Sequence, residues 1–278
     1  MYTERNTPNK FRICLVQTTS DKQGREHNLK RAAEAVKAAA AGGAILVVFP
    51  EMYIAGYEAG ERLRSVCETA DGPSFETMAK FATENRINVI YGYPESRNGK
   101  IYNSANLIDS EGRLKGTYAK TRLFEGEKEN FTPGSGYPVF DTDIGRIGML
   151  ICYDIEFPEP ARRLAVKGAD LIVCIAANMA PFHRLHARFS LIRAVENSVP
   201  VAYCNFTGND DKFEYTGRSG LYEPSVELLS SPVDDMDKEI LDERLIFAEM
   251  DHANYKREGT AYDYITQISP GERKMYQL

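Results

Sequence analysis

The sequence has no tryptophan, few histidines and no long uninterrupted apolar stretch. Its longest apolar run, residues 44–50, has the length of a strand, whereas a membrane-spanning helix needs about 20 apolar residues, so we expect no membrane contact. Residues 1–12 carry charges but no apolar segment, which argues against a secretory signal. Basic residues are not in excess, since 34 Lys and Arg face 40 Asp and Glu. An acidic chain lacks the basic surface that displaces counterions from phosphates, and we therefore expect no nucleic-acid partner.

The cysteines do not indicate a disulfide framework, because they are odd in number and widely spaced. Three of them lie in apolar, strand-like runs, which is typical of reduced, buried thiols. Reduced thiols are the rule in the cytoplasm, and we therefore predict a cytoplasmic protein. The cysteines are Cys14, Cys67, Cys152, Cys174 and Cys204.

The histidines give no metal signature. His183 and His186 have a spacing at which two residues of one helix can share a metal ion. However, no carboxylate or cysteine nearby in the sequence completes a ligand set. The sequence also contains no glycine-rich phosphate-binding motif. We therefore expect neither a zinc site nor a nucleotide site.

The composition is that of a globular protein of 278 residues, with 43% apolar and 27% charged residues. Strand-like runs alternate with helical periodicity and with hairpin patterns, which favours an α/β fold with mixed sheets and helices on their outer faces. No repeat or linker interrupts the chain, so we predict one domain over residues 1–278, with residues 1–10 flexible. An irregular acidic tail should follow the last hairpin, with residues 255–278 packing on a partner.

The hydrophobic pattern also predicts the individual elements. The predicted strands are residues 11–18, 44–49, 87–93, 100–109, 113–118, 139–142, 146–152, 170–176 and 199–205, and a further hairpin is predicted at 218–229. The predicted helices are residues 25–41, 74–85, 158–167 and 183–197.

Three chemically active side chains lie at or just beyond the ends of predicted strands: Glu51, Lys120 and Cys152. Ligands of α/β sheets collect outside the carboxyl ends of strands, so these side chains could form one site. The thiol would attack, the carboxylate would take its proton and the ammonium would stabilise developing negative charge. Each residue also has an ordinary structural interpretation, because a buried cysteine is usually inert and a Glu or Lys beside a loop is usually solvated. Spacing along the chain does not decide between the two.

The residues around these positions resemble the three signature segments of the nitrilase superfamily, the carbon–nitrogen hydrolases. The segments are FPEMYIAGY at 49–57, YAKTRLF at 118–124 and CYDIEFPE at 152–159. Their order and separations are also similar to those of the family, and the resemblance extends from Arg12 to about Met250. Further landmarks are FTPG at 131–134, RAVEN at 193–197 and GRS at 217–219, before Glu223 and Pro224.

The resemblance implies a four-layer α-β-β-α sandwich, in which two mixed sheets lie between helices. It also implies a triad in which Glu51 is the general base, Lys120 stabilises the oxyanion and Cys152 is the nucleophile that forms a thioester. Many members carry a second active-site Glu before the Phe-x-Pro-Gly segment, and the spacing favours Glu127 over Glu129. The family needs no metal or organic cofactor, and it tends to form homodimers or larger homo-oligomers through its helical faces.

The resemblance also implies a small-molecule substrate, for which three subfamilies compete: amidases, N-carbamoyl hydrolases and nitrilases. Nitrilases carry Trp-Glu after the nucleophile, whereas this chain has Tyr153 and Asp154 there. This difference favours an amidase that releases ammonia from a small amide. The backbone N–H of Tyr153 would help to hold the oxyanion. By analogy with the family, the other pocket residues are Tyr57, Phe124, Asn178 and Met179.

Glu156 departs from the family pattern. Members that act on monoamides of dicarboxylates often carry Arg at this position, before Phe-Pro-Glu. If Glu156 faces the pocket, it would repel a substrate carboxylate and favour a neutral or cationic amide. The alternative, which we favour, is a solvated ion pair with Arg162 or Arg163 on the following helix. Arg122 is a second departure, because many members have His there.

Two hypotheses without hydrolysis are kept. The protein could be a non-catalytic scaffold, because fold does not determine function, although all three motif residues are present. It could also be a thiol-redox protein that pairs Cys152 with a second cysteine, although no C-x-x-C motif occurs.

Overall fold

We describe a computed structural model of the chain, which covers residues 8–57, 60–182, 184–224, 242–255 and 263–277. Strands and helices alternate along the chain as the hydrophobic pattern predicts. The strands are β1 (Lys10–Gln17), β2 (Ala44–Val48), β3 (Asn88–Arg97), β4 (Lys100–Ile108), β5 (Leu114–Ala119), β6 (Val139–Thr142), β7 (Gly145–Ile151), β8 (Leu171–Ala176), β9 (Val201–Asn205), β10 (Thr207–Asn209), β11 (Glu214–Thr216), β12 (Gly220–Tyr222) and β13 (Arg244–Asp251). The α-helices are α1 (Arg25–Ala41), α2 (Leu63–Val66), α3 (Pro73–Asn85), α4 (Glu127–Asn130), α5 (Pro158–Val166), α6 (Leu185–Asn197) and α7 (Pro270–Gln277).

Two mixed sheets are built from these strands. In the first sheet, β1, β2 and β3 are parallel, and the order is β13-β1-β2-β3-β4-β5. In the second sheet, β7, β8 and β9 are parallel, and the order is β12-β9-β8-β7-β6. The outer strands of both sheets are antiparallel to their neighbours. A helix links each consecutive pair of parallel strands, because such strands need a crossover connection.

The two sheets pack face to face, and helices cover their outer faces. Alternate residues of β1 show this, because Ile13 and Leu15 belong to the core that both sheets share, whereas Cys14 and Val16 pack with residues of α1 and α3. On the other side, α5 packs against β7 and α6 against β9. The layers therefore follow the order α-β-β-α, and the predicted four-layer sandwich is confirmed.

One of two predictions about the C-terminal part of the chain is wrong, and the other is only partly covered by the described residues. Strand β12 lies within the predicted hairpin at 218–229 and pairs with β9, whereas residues 225–229 lie outside the described residues, so the hairpin itself stays a prediction. Residues 244–251, predicted as irregular tail, form β13 along β1. Their alternation places Ile246 and Met250 against the core between the sheets, but the interspersed charges hide this pattern in the sequence.

Sequence analysis also misses the short hairpin of β10 and β11. Further along the chain, α7 packs against α5 of the same chain, and the contact of residues 255–278 with a partner stays a prediction. Residues 1–7, most of the segment predicted as flexible, lie outside the described residues. Nowhere in the described part of the chain is a helix both long and apolar enough to cross a bilayer.

Candidate active site

Glu51 lies in the turn that follows β2, at the carboxyl edge of the first sheet. It is completely buried, at 0% exposure. Its backbone N–H lies 3.4 Å from the carbonyl oxygen of Ala176, the last residue of β8. Gly92 makes room for this turn, because a Cβ at that position would lie 2.8 Å from Glu51 Cα. The turn therefore brings a strand end of the first sheet against a strand end of the second.

Cys152 begins a short 3₁₀ turn, Cys152–Glu156, directly after β7. Its φ of +49° lies in the left-handed region that residues with a Cβ seldom adopt, and such strain concentrates at functional sites. The backbone N–H of Ala177, just beyond β8, donates to its sulfur. The nucleophile candidate thus lies at the same sheet edge as Glu51.

The ammonium of Lys120 joins two carboxylates. Its Nζ lies 2.8 Å from Glu51 Oε1 and 2.9 Å from Glu127 Oε1. Asn103 Nδ2 donates to the same two oxygens, at 2.7 Å from Glu51 and 3.1 Å from Glu127. The side chains of Glu51, Asn103, Lys120 and Glu127 therefore form a closed hydrogen-bond ring, in which two donors alternate with two acceptors.

Burial dominates the electrostatics of the ring. It raises the pKa of Glu51 above its ordinary value, with a contribution from the charge of Glu127, although Lys120 and Asn103 act in the opposite direction. Burial would lower the pKa of Lys120, but the carboxylates of Glu127 and Glu51 outweigh it and raise that pKa well above its ordinary value. Lys120 is therefore a permanent cation, and Glu51 is a carboxylate that accepts a proton readily.

The thiol of Cys152 is neutral at rest. Burial raises its pKa well above the ordinary value, and the negative charge of Glu51 adds to this effect, against the smaller opposing effects of Lys120 and Ala177 N–H. Since the thiolate is the nucleophile, the sulfur needs a base to take its proton during attack. Glu51 Oε2 is suited to this task, because it is buried and has no hydrogen-bond partner among the described residues.

Glu127 is the second glutamate of the site, and Glu129 is not part of the ring. The backbone N–H of Phe124 donates to Glu127 Oε2 at 2.7 Å, and the ammonium of Lys120 lies 2.8 Å from the same oxygen, so both groups hold the carboxylate in place. The hydroxyl of Tyr57 lies 3.5 Å from Glu127 Oε1. The side chain of Glu129 is exposed at the mouth of the cavity described below.

Asp154 binds the Cys152 turn to the segment that carries Lys120. Its buried carboxylate accepts hydrogen bonds from Tyr118 Oη at 2.7 Å and from Thr121 Oγ1 at 2.9 Å. It also accepts from the backbone N–H groups of Arg122, at 2.9 Å, and Ile151, at 3.0 Å. This carboxylate therefore links the segment that carries Cys152 to the segment that carries Lys120.

A cavity of about 420 Å³ opens beside the ring. Three of the predicted pocket residues line it: Tyr57, Phe124 and Met179. Its walls combine aromatic and aliphatic side chains with charged and polar ones, which suits a small polar substrate with an apolar part. Besides those three, the lining residues are Gly60, Leu63, Glu125, Gly126, Glu127, Glu129, Asn130, Phe131, Lys212 and Phe213.

The remaining predicted pocket residues have supporting contacts. The ring of Tyr153 packs edge-on against Phe124, with centroids 5.3 Å apart. The backbone N–H of Asn178 donates to Asn205 Oδ1 at 2.8 Å, which orders the segment before Met179. These contacts hold the pocket wall, and a direct role of Tyr153 or Asn178 in binding substrate stays a prediction.

Glu156 does not form the expected ion pair with Arg162 or Arg163. Its Oε1 lies 3.0 Å from Nε2 of His186, a buried histidine of α6. Burial lowers the pKa of His186, so the neutral ring donates from Nε2 to Glu156 and accepts at Nδ1 from Tyr203 Oη, 3.3 Å away. The sequence could not predict this contact, because it joins two elements separated by a whole strand.

The described residues hold no group of three or more His, Cys, Asp or Glu side chains placed to bind a metal ion. His183, one of the pair considered in the sequence, lies outside the described residues. All four cysteines other than Cys152 are free, and Cys14, Cys174 and Cys204 are buried.

Sequence analysis misses Asn103 and assigns no role to Asp154. A signal for Asn103 exists, because Asn103, Ser104 and Asn106 place polar side chains in the middle of a strand that is otherwise buried and apolar. Buried polar side chains need partners, but the strand pattern alone does not reveal that the partners of Asn103 are the two glutamates.

The chain matches the family model described as carbon-nitrogen hydrolase over residues 12–256. It is 34% identical to an (R)-stereoselective amidase of a Pseudomonas species, over 77% of this chain and 78% of that protein. It is 37% identical to a probable nitrilase of Schizosaccharomyces pombe, over 67% of this chain and 70% of that protein. An omega-amidase of Danio rerio is 32% identical, over 87% of this chain and 88% of that protein.

Solved structures of an amidase from Nesterenkonia sp. AN1, a member of the nitrilase superfamily, have the same fold. A cysteine-to-alanine mutant aligns with a TM-score of 0.80 at 25% identity, over 100% of both chains. A glutamate-to-glutamine mutant aligns with a TM-score of 0.80 at 26% identity, over 96% of this chain and 97% of that one, and it shows the acetamide moiety of fluoroacetamide added covalently to the active-site cysteine. The chain described here belongs to the carbon–nitrogen hydrolase family, the nitrilase superfamily, and is a hydrolase of carbon–nitrogen bonds other than peptide bonds.

Proposed function

We propose that the protein is an amidohydrolase that cleaves a small amide through a thioester on Cys152 and releases ammonia. The observation that carries this proposal is the buried pair of Lys120 Nζ and Glu51 Oε1, 2.8 Å apart, next to a cysteine with a neutral thiol. A cation, a base with a free oxygen and a nucleophile are the three groups that acyl transfer needs.

In the first half of the reaction, the sulfur of Cys152 attacks the amide carbonyl carbon while Glu51 Oε2 takes the thiol proton. The carbonyl π electrons move onto oxygen, and Lys120 and the backbone N–H of Tyr153 stabilise the resulting oxyanion. The oxyanion then collapses, the C–N bond breaks, and Glu51 returns its proton to the leaving nitrogen. Ammonia leaves, and the acyl group remains on sulfur.

In the second half, water replaces ammonia in the site. Glu51 removes a proton from water as the water oxygen attacks the thioester carbonyl, and the same donors hold the second oxyanion. Collapse of this intermediate breaks the C–S bond and releases the acid, while the proton on Glu51 returns to the sulfur. Neither half uses a metal ion or an organic cofactor.

Glu127 keeps Lys120 in place during both halves. Its two oxygens are anchored by Lys120, Asn103 and the N–H of Phe124. Because it forms one wall of the cavity, it is also placed to accept a hydrogen bond from the substrate amide.

The preference for amides over nitriles and N-carbamoyl compounds is supported by Tyr153-Asp154 after the nucleophile and by the amidases among the relatives. An N-carbamoyl hydrolase or a nitrilase with the same three groups is the alternative. We also keep the prediction of a cytoplasmic homodimer or larger homo-oligomer, for which the exposed Leu185 and Ile192 on α6 offer an apolar surface.

The test is ammonia release from a panel that contains an aliphatic amide, an amino-acid amide, succinamate, an N-carbamoyl amino acid and a nitrile. We expect turnover of amides and loss of turnover in Cys152→Ala. Ammonia release that persists in Cys152→Ala would overturn the mechanism. If the unmodified protein turns over no substrate of the panel, the result favours the scaffold or the thiol-redox hypothesis over the hydrolase. Alkylation of Cys152 alone does not distinguish a hydrolase from a redox protein, because the thiol would react in both.

A further inference from the structure

Asn103 belongs to the hydrogen-bond ring but has no step in the mechanism above. It lies in β4, carries no charge and is completely buried, at 0% exposure. Its Nδ2 is shared between Glu51 Oε1, at 2.7 Å, and Glu127 Oε1, at 3.1 Å. Reversal of the amide would place an oxygen against two carboxylates, so the nitrogen has to face the ring.

In this arrangement the side-chain oxygen of Asn103 lacks a partner in the described part of the chain. Asn103 Oδ1 is buried and has no hydrogen-bond partner among the described residues. Asn106, a buried residue of the same strand, is fully paired: its Nδ2 donates to Tyr91 Oη at 3.0 Å, and its Oδ1 accepts from Thr117 Oγ1 at 2.6 Å. A buried oxygen without a partner destabilises the folded state, so the position of Asn103 serves the ring and not the stability of the strand.

We propose that Asn103 is a positioning residue that, together with Lys120, holds Glu51 by its Oε1 atom and so reserves Oε2 for proton exchange with Cys152. Both ring donors bind Oε1, and Oε2 stays buried and unpaired in the described structure. The inference rests on the proposed function, because it assigns the working oxygen of the proposed base.

The ring needs its second donor because it holds two carboxylates. With Asn103 removed, Glu51 and Glu127 share only the ammonium of Lys120, and like charges disfavour joint ionisation. A single donor fixes the plane of the Glu51 carboxylate less well than two donors, so the carboxylate can rotate part of a turn about its last bond. The unpaired oxygen then spends less time in the position from which it exchanges a proton with the thiol of Cys152, and the rate of attack falls.

The ionisation of Glu51 offers a readout that a purely structural role would not move. Seven charged or titratable groups of the described chain interact with Glu51: Lys120, Glu127, Cys152, Tyr57, Cys174, Tyr203 and Tyr215. Burial raises the pKa of Glu51 most, with a contribution from Glu127, whereas Lys120 and Asn103 lower it. A hydrogen bond to the ionised form lowers the pKa of an acid. Loss of Asn103 Nδ2 therefore raises the pKa of Glu51 further and moves the acidic limb of the activity profile to higher pH.

The experiment compares Asn103→Leu with Asn106→Leu, which makes the same change at a buried position of the same strand outside the site. For each full-length protein, kcat and KM for one amide are measured across the pH range, together with thermal unfolding. We expect Asn103→Leu to lower kcat about 10- to 100-fold, to change KM less than about threefold, and to raise the acidic limb by about one pH unit. Asn106→Leu should lower the unfolding temperature but should not change the pH at which activity falls on the acidic side of the profile.

An Asn103→Leu protein whose acidic limb does not move overturns the inference, even if its kcat falls, because a general loss of packing would do the same. If Asn103→Leu does not fold, Asn103→Ser is measured in its place, with the same expectation and the same contradicting result. The proposed function fails by a different result, namely ammonia release by Cys152→Ala. The two failures are therefore distinguishable.

Discussion

The phenol of Tyr118 donates a 2.7 Å hydrogen bond to the carboxylate of Asp154, across 36 positions of the chain. The bond connects the end of strand β5, which leads into Lys120, to the 3₁₀ turn that begins at Cys152. Both groups are completely or nearly completely buried. The segments that carry the proposed nucleophile, Cys152, and the proposed oxyanion stabiliser, Lys120, lie on different sheets and are thus joined by a buried hydrogen bond.

Asp154→Asn tests this connection. The amide retains one acceptor oxygen, but its NH₂ group faces donors, so at least one of the four bonds to Tyr118, Thr121, Arg122 and Ile151 is lost. A buried hydrogen bond to a charged group is worth about 1.5–3 kcal/mol, and we expect the free energy of unfolding to fall by at least that amount, with a lower kcat.

Tyr118→Phe is the matched milder change, because it removes one donor and leaves the carboxylate with its other partners. We expect a loss of about 1–2 kcal/mol, which urea unfolding measures for both variants. An Asp154→Asn protein as stable and as active as the unmodified one would show that the carboxylate does not hold the two segments together.

Glu127→Gln should lower kcat about 10²- to 10³-fold, because it removes the charge that fixes Lys120. Glu129→Gln is the control, since Glu129 is two positions away on the same short helix but exposed and outside the ring. The kcat values of both variants are measured by steady-state kinetics with the same amide substrate. Equal losses in both variants would contradict the assignment of Glu127 as the second active-site glutamate.

The pH dependence of activity follows from the environment of Glu51 and Cys152. The proposed mechanism needs ionised Glu51, whose pKa is raised above the ordinary 4.5, so kcat/KM should fall as the pH drops through a value higher than that. The pKa of the Cys152 thiol lies well above 9.0 and that of Lys120 well above 10.5. We therefore expect neither group to cause a loss of activity at or below its ordinary pKa. An acidic limb at or below the ordinary carboxyl range would argue that Glu51 is not the base.

Glu243 should stabilise the fold in a pH-dependent way. Hydrogen bonds from Thr19 N–H and from the hydroxyls of Thr18 and Thr19, together with the charge of Arg31, outweigh its partial burial and lower its pKa to about 2. Because the pKa is lower in the folded state, the stabilising contribution is complete above the unfolded value near 4.5 and disappears as the pH falls to about 2. Glu243→Gln should therefore lower the urea midpoint at neutral pH and converge with the unmodified protein in acid.

Glu249→Gln is the control for that measurement. Glu249 of β13 pairs with Arg12 of the neighbouring strand β1, but both side chains are 45% exposed, and exposed ion pairs contribute about 0–1 kcal/mol. We therefore expect Glu249→Gln to change the urea midpoint less than Glu243→Gln does. If the difference between Glu243→Gln and the unmodified protein is the same at pH 7 and in acid, the carboxylate charge of Glu243 does not stabilise the fold.

The sequence patterns predict elements well where one face or one run of residues is uniformly apolar. Strand β2 and helix α1 begin and end within one residue of the predicted limits. The prediction fails at β13, where Arg244, Glu249 and Asp251 interrupt the apolar pattern. An edge strand needs only one buried face, and its solvent face carries charges that are typical of irregular segments. Pairing with β1, more than two hundred positions away, is what makes those residues a strand.

The sequence by itself determined the family, the four layers and the chemical types at the ends of β2, β5 and β7, because local periodicity and the motifs around Glu51, Lys120 and Cys152 carry that information. Only the tertiary structure decided which atoms meet. Hydrogen bonds and charge interactions act over a few ångströms. The number of residues between Asn103 and Glu51, or between Asp154 and Tyr118, does not predict that these side chains come this close in space. The packing of two sheets brings these groups together, and the low polarity of the buried site then gives each contact its strength.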